Sequence, residues 1–142
     1  MFKFTIIDCH RQLSSKIINL FHEANKEISK LLTTQYVYDV SIVNDDEIRA
    51  INYRYRKIDK PTDVLSFAFH DNQGIKPILL GEIFINFQQV KWQAQDTYEQ
   101  EITLLFIHGV LHLLGYNHDN LKKAKLMQNL QNNILKQLNF VA

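Results

Sequence analysis

The sequence predicts an α+β fold, a single domain in which a small mixed four-stranded sheet is packed with helices. Three observations predict it. Short segments with apolar residues at every second position alternate with longer segments at helical spacing. The C-terminal third is helical throughout, and 142 residues with 46% apolar and 22% charged side chains suit one hydrophobic core. Only two prolines and four glycines punctuate the chain, with no linker, repeat or low-complexity stretch, so residues 1–142 read as one domain.

Phe2, Phe4 and Ile6 alternate with Lys3, Thr5 and Ile7, the pattern of a first strand. Cys9 reads as a small buried hydrophobe on that strand. As the single cysteine it has no internal disulfide partner, which suits a reducing compartment. Leu13, Ile17, Leu20, Phe21, Ala24, Ile28 and Leu31 recur at the spacing of a long amphipathic helix. Tyr36 to Val43 forms the second strand, with Tyr36, Tyr38, Val40 and Ile42 on one face. Asn44 followed by Glu47 has the form of a capping box and opens a short helix through Asn52. Pro61 blocks helix, Val64 to Phe69 reads as the third strand, Gly74 and Pro77 mark a loop, and Leu80 to Ile85 is the fourth strand.

From Phe87 onward the chain reads as helix, with Trp92 packing against the core. Ile102 to Leu114 is apolar almost all round, which makes a helix buried on every side, and it should stop at Gly115 in a left-handed cap. That stretch is too short to span a bilayer, and the N-terminus lacks the pattern of a signal peptide, so a cytoplasmic protein with no membrane partner is expected. The last helix places Leu126, Leu130, Ile134 and Leu138 on one stripe. The resulting order is β-α-β-α-β-β-α-α-α.

Half of the six histidines fall in one run, His108-Gly-Val-Leu-His112-Leu-Leu-Gly115-Tyr-Asn-His118-Asp119. Residues four apart share a helix face, so His108 and His112 can present imidazoles to one point, and a turn at Gly115 can return His118 as a third ligand. Three neutral imidazoles with a fourth position open are the donor set of a catalytic zinc site, one Zn2+ per chain, whereas a structural site closes all four positions. The spacing matches the zincin-like metal-site helix of the metzincin peptidases, with one difference: where those enzymes carry a glutamate as general base, this chain has Gly109.

The run HGVLHLLGYNHD resembles the signature of the YbeY family of bacterial rRNA maturation factors. Two further segments resemble that family in the same order: Tyr55-Arg56 with Asp59-Lys60-Pro61-Thr62-Asp63-Val64-Leu65-Ser66-Phe67, and Leu80-Gly81-Glu82-Ile83. The chain departs from it at Ala68, where proline is usual, and at Asn117, where aspartate is frequent. The resemblance implies a zinc-dependent endoribonuclease acting on single-stranded RNA, in maturation of the small-subunit rRNA 3′ end and in ribosome quality control. It implies zinc ligation by His108, His112 and His118, a catalytic role for Arg56, and the ribosome or small-subunit proteins as partners.

A guanidinium can grip two phosphate oxygens at once, which is the role expected of Arg56; its bland alternative is a surface arginine paired with Asp59 or Asp63. Arg54, Lys57 and Lys60, interleaved with Tyr53 and Tyr55, form the best candidate patch for holding an RNA backbone and stacking bases. Lys122, Lys123 and Lys125 can widen it or simply be a solvated face. Glu82 can orient a histidine or face solvent, Asp119 can be a helix cap, and His10, His22 and His70 read as ordinary surface or loop residues. Two other functions compete: a metallopeptidase, against which Gly109 stands, and a ribosome assembly factor whose zinc is mainly structural.

Overall fold

A computed structural model describes residues 2–69 and 78–140. The loop expected at Gly74 and Pro77, and His70, lie outside the described residues. The elements are β1 (Lys3–Ile7), α1 (Ser15–Ser29), β2 (Tyr36–Val43), α2 (Asp45–Arg56), β3 (Val64–Ala68), β4 (Ile78–Asn86), α3 (Phe87–Gln93), α4 (Tyr98–Leu113) and α5 (Leu121–Gln137). Their order is the one the sequence predicts. The sheet runs β1-β2-β4-β3, with β1, β2 and β4 parallel and β3 antiparallel to β4.

Local chemistry sets most boundaries. Ser14 caps α1 by accepting the Ile17 amide, and Asn44 and Glu47 form the complete capping box of α2. The helical stretch after Phe87 is interrupted at residues 94–97, where Ala94 turns extended and Thr97 starts α4 by accepting the Gln100 amide. An extended residue and a new N-cap thus separate α3 from α4.

Helix α4 occupies the middle of the molecule. It packs on β3 and β4 and is flanked by α1, α3 and α5. Ile102, Phe106, Ile107, Val110 and Leu111 are all fully buried, and Phe106 stacks on Phe21 of α1 with centroids 4.3 Å apart. The other face of the sheet is covered at one end by α2, through a smaller cluster of Val43, Ile48 and Leu65. The mixed sheet thus separates α2 from α4, and the loop leading out of α2 brings the chain round into β3 beside α4.

Three expectations about packing are corrected. Cys9 is exposed, because β1 ends at Ile7 and Cys9 lies in the turn that follows. Trp92 is 82% exposed, since Phe87 and Val90 already fill the inner face of the two-turn helix α3 and Trp92 points away from it. The inner stripe of α5 is Met127, Leu130, Gln131, Ile134 and Leu138; Leu126 is exposed.

Candidate metal centre

His108 and His112 stand one turn apart on α4, on the one face of this helix that is not sealed by core. The helix closes with the hydrogen bonds of a Schellman motif: Tyr116 donates to the Leu111 carbonyl (3.1 Å) and Gly115 to that of His112 (3.0 Å). Gly115 has φ +101°, a conformation that a side chain disfavours even though there is open space for one. The chain then doubles back. Asn117 accepts the Asp119 amide, holding the turn that carries His118, and Asn120, rather than Asp119, caps α5.

The result is convergence. One ring nitrogen from each of His108, His112 and His118 lies within 4.8 Å of the other two, and ring centroids are 4.5–5.2 Å apart. The Nε2 atoms of His108 and His112 are 2.9 Å apart. His108 Nδ1 donates to Gln131 Oε1 (2.7 Å). With that nitrogen protonated, the Nε2 lone pair of His108 faces Nε2 of His112 across the site, where a cation can accept both rings. Burial holds the His108 imidazole below its usual range, and burial together with the neighbouring histidines holds His112 down to about 4. Both effects favour the neutral ring, the state a metal requires. The donors fit a divalent metal ion, and imidazole nitrogen suits zinc.

Gly109 explains the missing peptidase glutamate. A Cβ there would lie 2.8 Å from Ile83 Cγ2 and 3.2 Å from Ser66 Oγ, while Ser66 Oγ donates to the Gly109 carbonyl. The helix is pressed against β3 and β4 at this point, so a side chain at 109 meets the sheet. Gly109→Ala is expected to lower stability by about 1–3 kcal/mol, as overpacked core positions do, measurable by urea denaturation.

Arg56 is the last residue of α2, which ends where Lys57 takes a left-handed conformation (φ 60°). It lines a cleft of about 310 Å3 together with Ser66, Phe67, Ala68, His108 and His112. The two acids that might have neutralised it are engaged elsewhere: Asp59 receives both arms of Arg49 (2.8 and 3.2 Å), and Asp63 accepts from the Val64 amide and Gln93. Arg56 is exposed, and among the described residues no carboxylate lies within ion-pair distance of it. A larger cavity of about 550 Å3 beside β1 and α1 is lined by Phe2, Phe4, His22, Glu23 and two lysines, and among the described residues no three metal-ligating groups converge there.

The remaining candidates separate. Arg54, Lys57 and Lys60 are exposed around the end of α2, Arg54 beside the Tyr55 ring (5.4 Å) and Lys57 over Tyr53 (5.8 Å); none of them lines the cleft. Tyr55 is 59% exposed and its inner edge contacts Phe67 of the cleft wall (5.2 Å). Lys122, Lys123 and Lys125 are exposed on the first turns of α5. Glu82 pairs with Phe67 and Asp39 on the sheet face opposite Ile83, away from α4, so it does not orient a histidine. His22 is exposed against Phe4, and His10 forms a 2.6 Å pair with Glu47 of the capping box. Gln131 carries no signal in the sequence, because it is one of five side-chain amides between Gln128 and Asn133 and lies off the expected stripe of Leu126, Leu130, Ile134 and Leu138.

A profile of the family described as Endoribonuclease YbeY matches residues 5–139. The chain belongs to the YbeY family. An Endoribonuclease YbeY of Malacoplasma penetrans is 37% identical over 141 residues, covering 96% of this chain and 94% of that protein. The YbeY of Acholeplasma laidlawii is 45% identical over 117 residues, covering 80% of each, and that of Acetivibrio thermocellus is 38% identical, covering 90% of each. A Thermotoga maritima protein of known solution structure shares the fold, with a TM-score of 0.63 at 25% identity over 98% of this chain and 92% of the other. Arg56 shares its cleft with His108 and His112, and His118 converges on those two histidines from the turn after α4. Among the described residues, no helix is long and apolar enough to cross a membrane.

Proposed function

We propose that this chain is a zinc-dependent endoribonuclease that cleaves single-stranded RNA, acting on rRNA in maturation of the small-subunit 3′ end and in ribosome quality control. The observation that carries this reading is the convergence of three imidazole donors, two of which line one cleft with an arginine that has no ion-pair partner among the described residues. Family membership supplies the RNA substrate; the cleft supplies groups suited to it. A cytoplasmic location and contact with the ribosomal small subunit belong to the same proposal, as does action by residues 1–142 as one domain.

In this reading His108, His112 and His118 hold the ion, which when bound supplies Lewis acidity toward water and a phosphoryl oxygen. Arg56 supplies what the histidines cannot, a fixed positive charge with donors spaced for two phosphate oxygens. Because Asp59 and Asp63 are committed elsewhere, its charge is available to a phosphate, and negative charge developing during cleavage is stabilised there. Tyr55 is 59% exposed, with Arg54 over its ring and Phe67 against it, and an unpaired base can pack on the solvent-facing part of this aromatic surface. A paired base already has both faces covered, so this contact favours single strands.

The test compares cleavage of a single-stranded rRNA fragment by wild type, zinc-stripped wild type and Arg56→Ala, with zinc measured in each. Arg56→Ala should keep its zinc and fold but lose about 10²-fold or more in kcat. Unchanged cleavage by a folded Arg56→Ala protein removes the arginine from the mechanism. Wild type that holds zinc and cuts nothing favours the assembly-factor reading. The metallopeptidase reading is disfavoured by the sheet packed against Gly109.

A further inference from the structure

His108 forms the partition between two clefts. On one side lie Arg56 and His112; on the other, in a separate space of about 250 Å3, lie Gln131, Asp63 and Glu101. Gln131 projects from the inner face of α5, is 8% exposed, and its Oε1 is 2.7 Å from His108 Nδ1. It therefore touches the histidine from behind and has no contact with the cleft that would receive RNA. Resting on the reading of the triad as a metal centre, we infer that Gln131 is a positioning residue for that centre: it fixes the His108 ring and its tautomer so that Nε2 faces the metal.

The chemistry is specific to this residue. Free imidazole carries its proton on either nitrogen, and a ring protonated on Nε2 cannot ligate through it. An acceptor locked against Nδ1 selects the other form. Of the three imidazoles, His108 is the one whose Nδ1 meets a buried side-chain acceptor. An amide also differs from the carboxylate often found behind a metal-bound histidine, because it accepts the hydrogen bond without adding charge to the centre. The link has a second effect: α5 begins directly after the turn that holds His118, so Gln131 ties the helix following the third ligand to the helix bearing the first two.

The test uses the full chain with zinc. Gln131→Met keeps the volume and deletes the acceptor; Gln131→Glu keeps the acceptor. Zinc affinity is read by competition with a chromophoric chelator, and the His108 Nδ1–H by its proton resonance and exchange rate in the zinc-loaded protein. The expected result is a 10- to 100-fold weaker zinc affinity and loss of the protected Nδ1–H in Gln131→Met, with both retained in Gln131→Glu. Equal affinity and an intact resonance in a folded Gln131→Met overturn the inference while leaving the metal centre standing. If the methionine variant does not fold, the wild-type resonance decides: a protected Nδ1–H at His108 that persists in Gln131→Glu supports the inference, and its absence overturns it. Wild type that binds no zinc overturns the metal centre and the role of Gln131 with it.

Discussion

His112→Ala is expected to abolish zinc binding and RNA cleavage together. The substitution leaves two donors from α4 and the following turn, and the loss in affinity exceeds the roughly 100-fold that removing a supporting hydrogen bond costs. Zinc measured after dialysis should fall from about one ion per chain to background. The fold should survive, because alanine is the strongest helix former and His112 is on the partly open face of α4 rather than in the core. Circular dichroism of the variant establishes that point, and cleavage of a single-stranded rRNA fragment completes the comparison. Zinc lost with cleavage retained would place the activity at another site or in a contaminant. Zinc retained would mean that the three imidazoles do not form the centre.

Gly81→Ala is expected to cost more stability than alanine at Gly109 or Gly115. Gly81 has φ +151° at an irregularity where the β2–β4 register shifts, skipping Leu80. A Cβ there would run into the Phe67 carbonyl oxygen and lie 2.8 Å from Leu113 Cδ2 and 3.0 Å from Ala68 Cα. Two of these are backbone atoms of the adjacent strand, which no rotamer change can move aside. Strain in the dihedral and overpacking together amount to about 3–5 kcal/mol, a large part of the stability of a domain this size. Urea denaturation of wild type and variant measures it. A loss below about 1 kcal/mol would show that β3 and β4 can separate here without cost.

The residues that the sequence made legible are those whose signals are local. The capping box of Asn44 and Glu47 lies within four residues, and the β2 face of Tyr36, Tyr38, Val40 and Ile42 is a simple alternation. The histidine triad was legible for the same reason: one helical turn and one glycine suffice to describe it. The availability of Arg56 was not, because it depends on Arg49 reaching Asp59 and Gln93 reaching Asp63, pairings between different elements. The phase of α5 was ambiguous because leucines at 126 and 130 continue to 134 and 138 as plausibly as does the true face through Met127 and Gln131; only the positions of α1 and α4 decide between them. Cys9 and Trp92 show the converse, since apolar character alone does not bury a residue that falls in a turn or outside the filled face of a short helix.

The turn at Gly115 divides the three histidines between two clocks. The amides of His108 and His112 are woven into the most deeply buried helix, between Phe106, Ile107, Val110 and Leu111, and are released only when the whole domain opens. His118 is exposed on a segment outside any helix. An ion held by the three imidazoles would take two donors from the buried frame and its third from a surface turn. The position of two donors is then as durable as the fold itself, and that of the third depends on a few residues of loop.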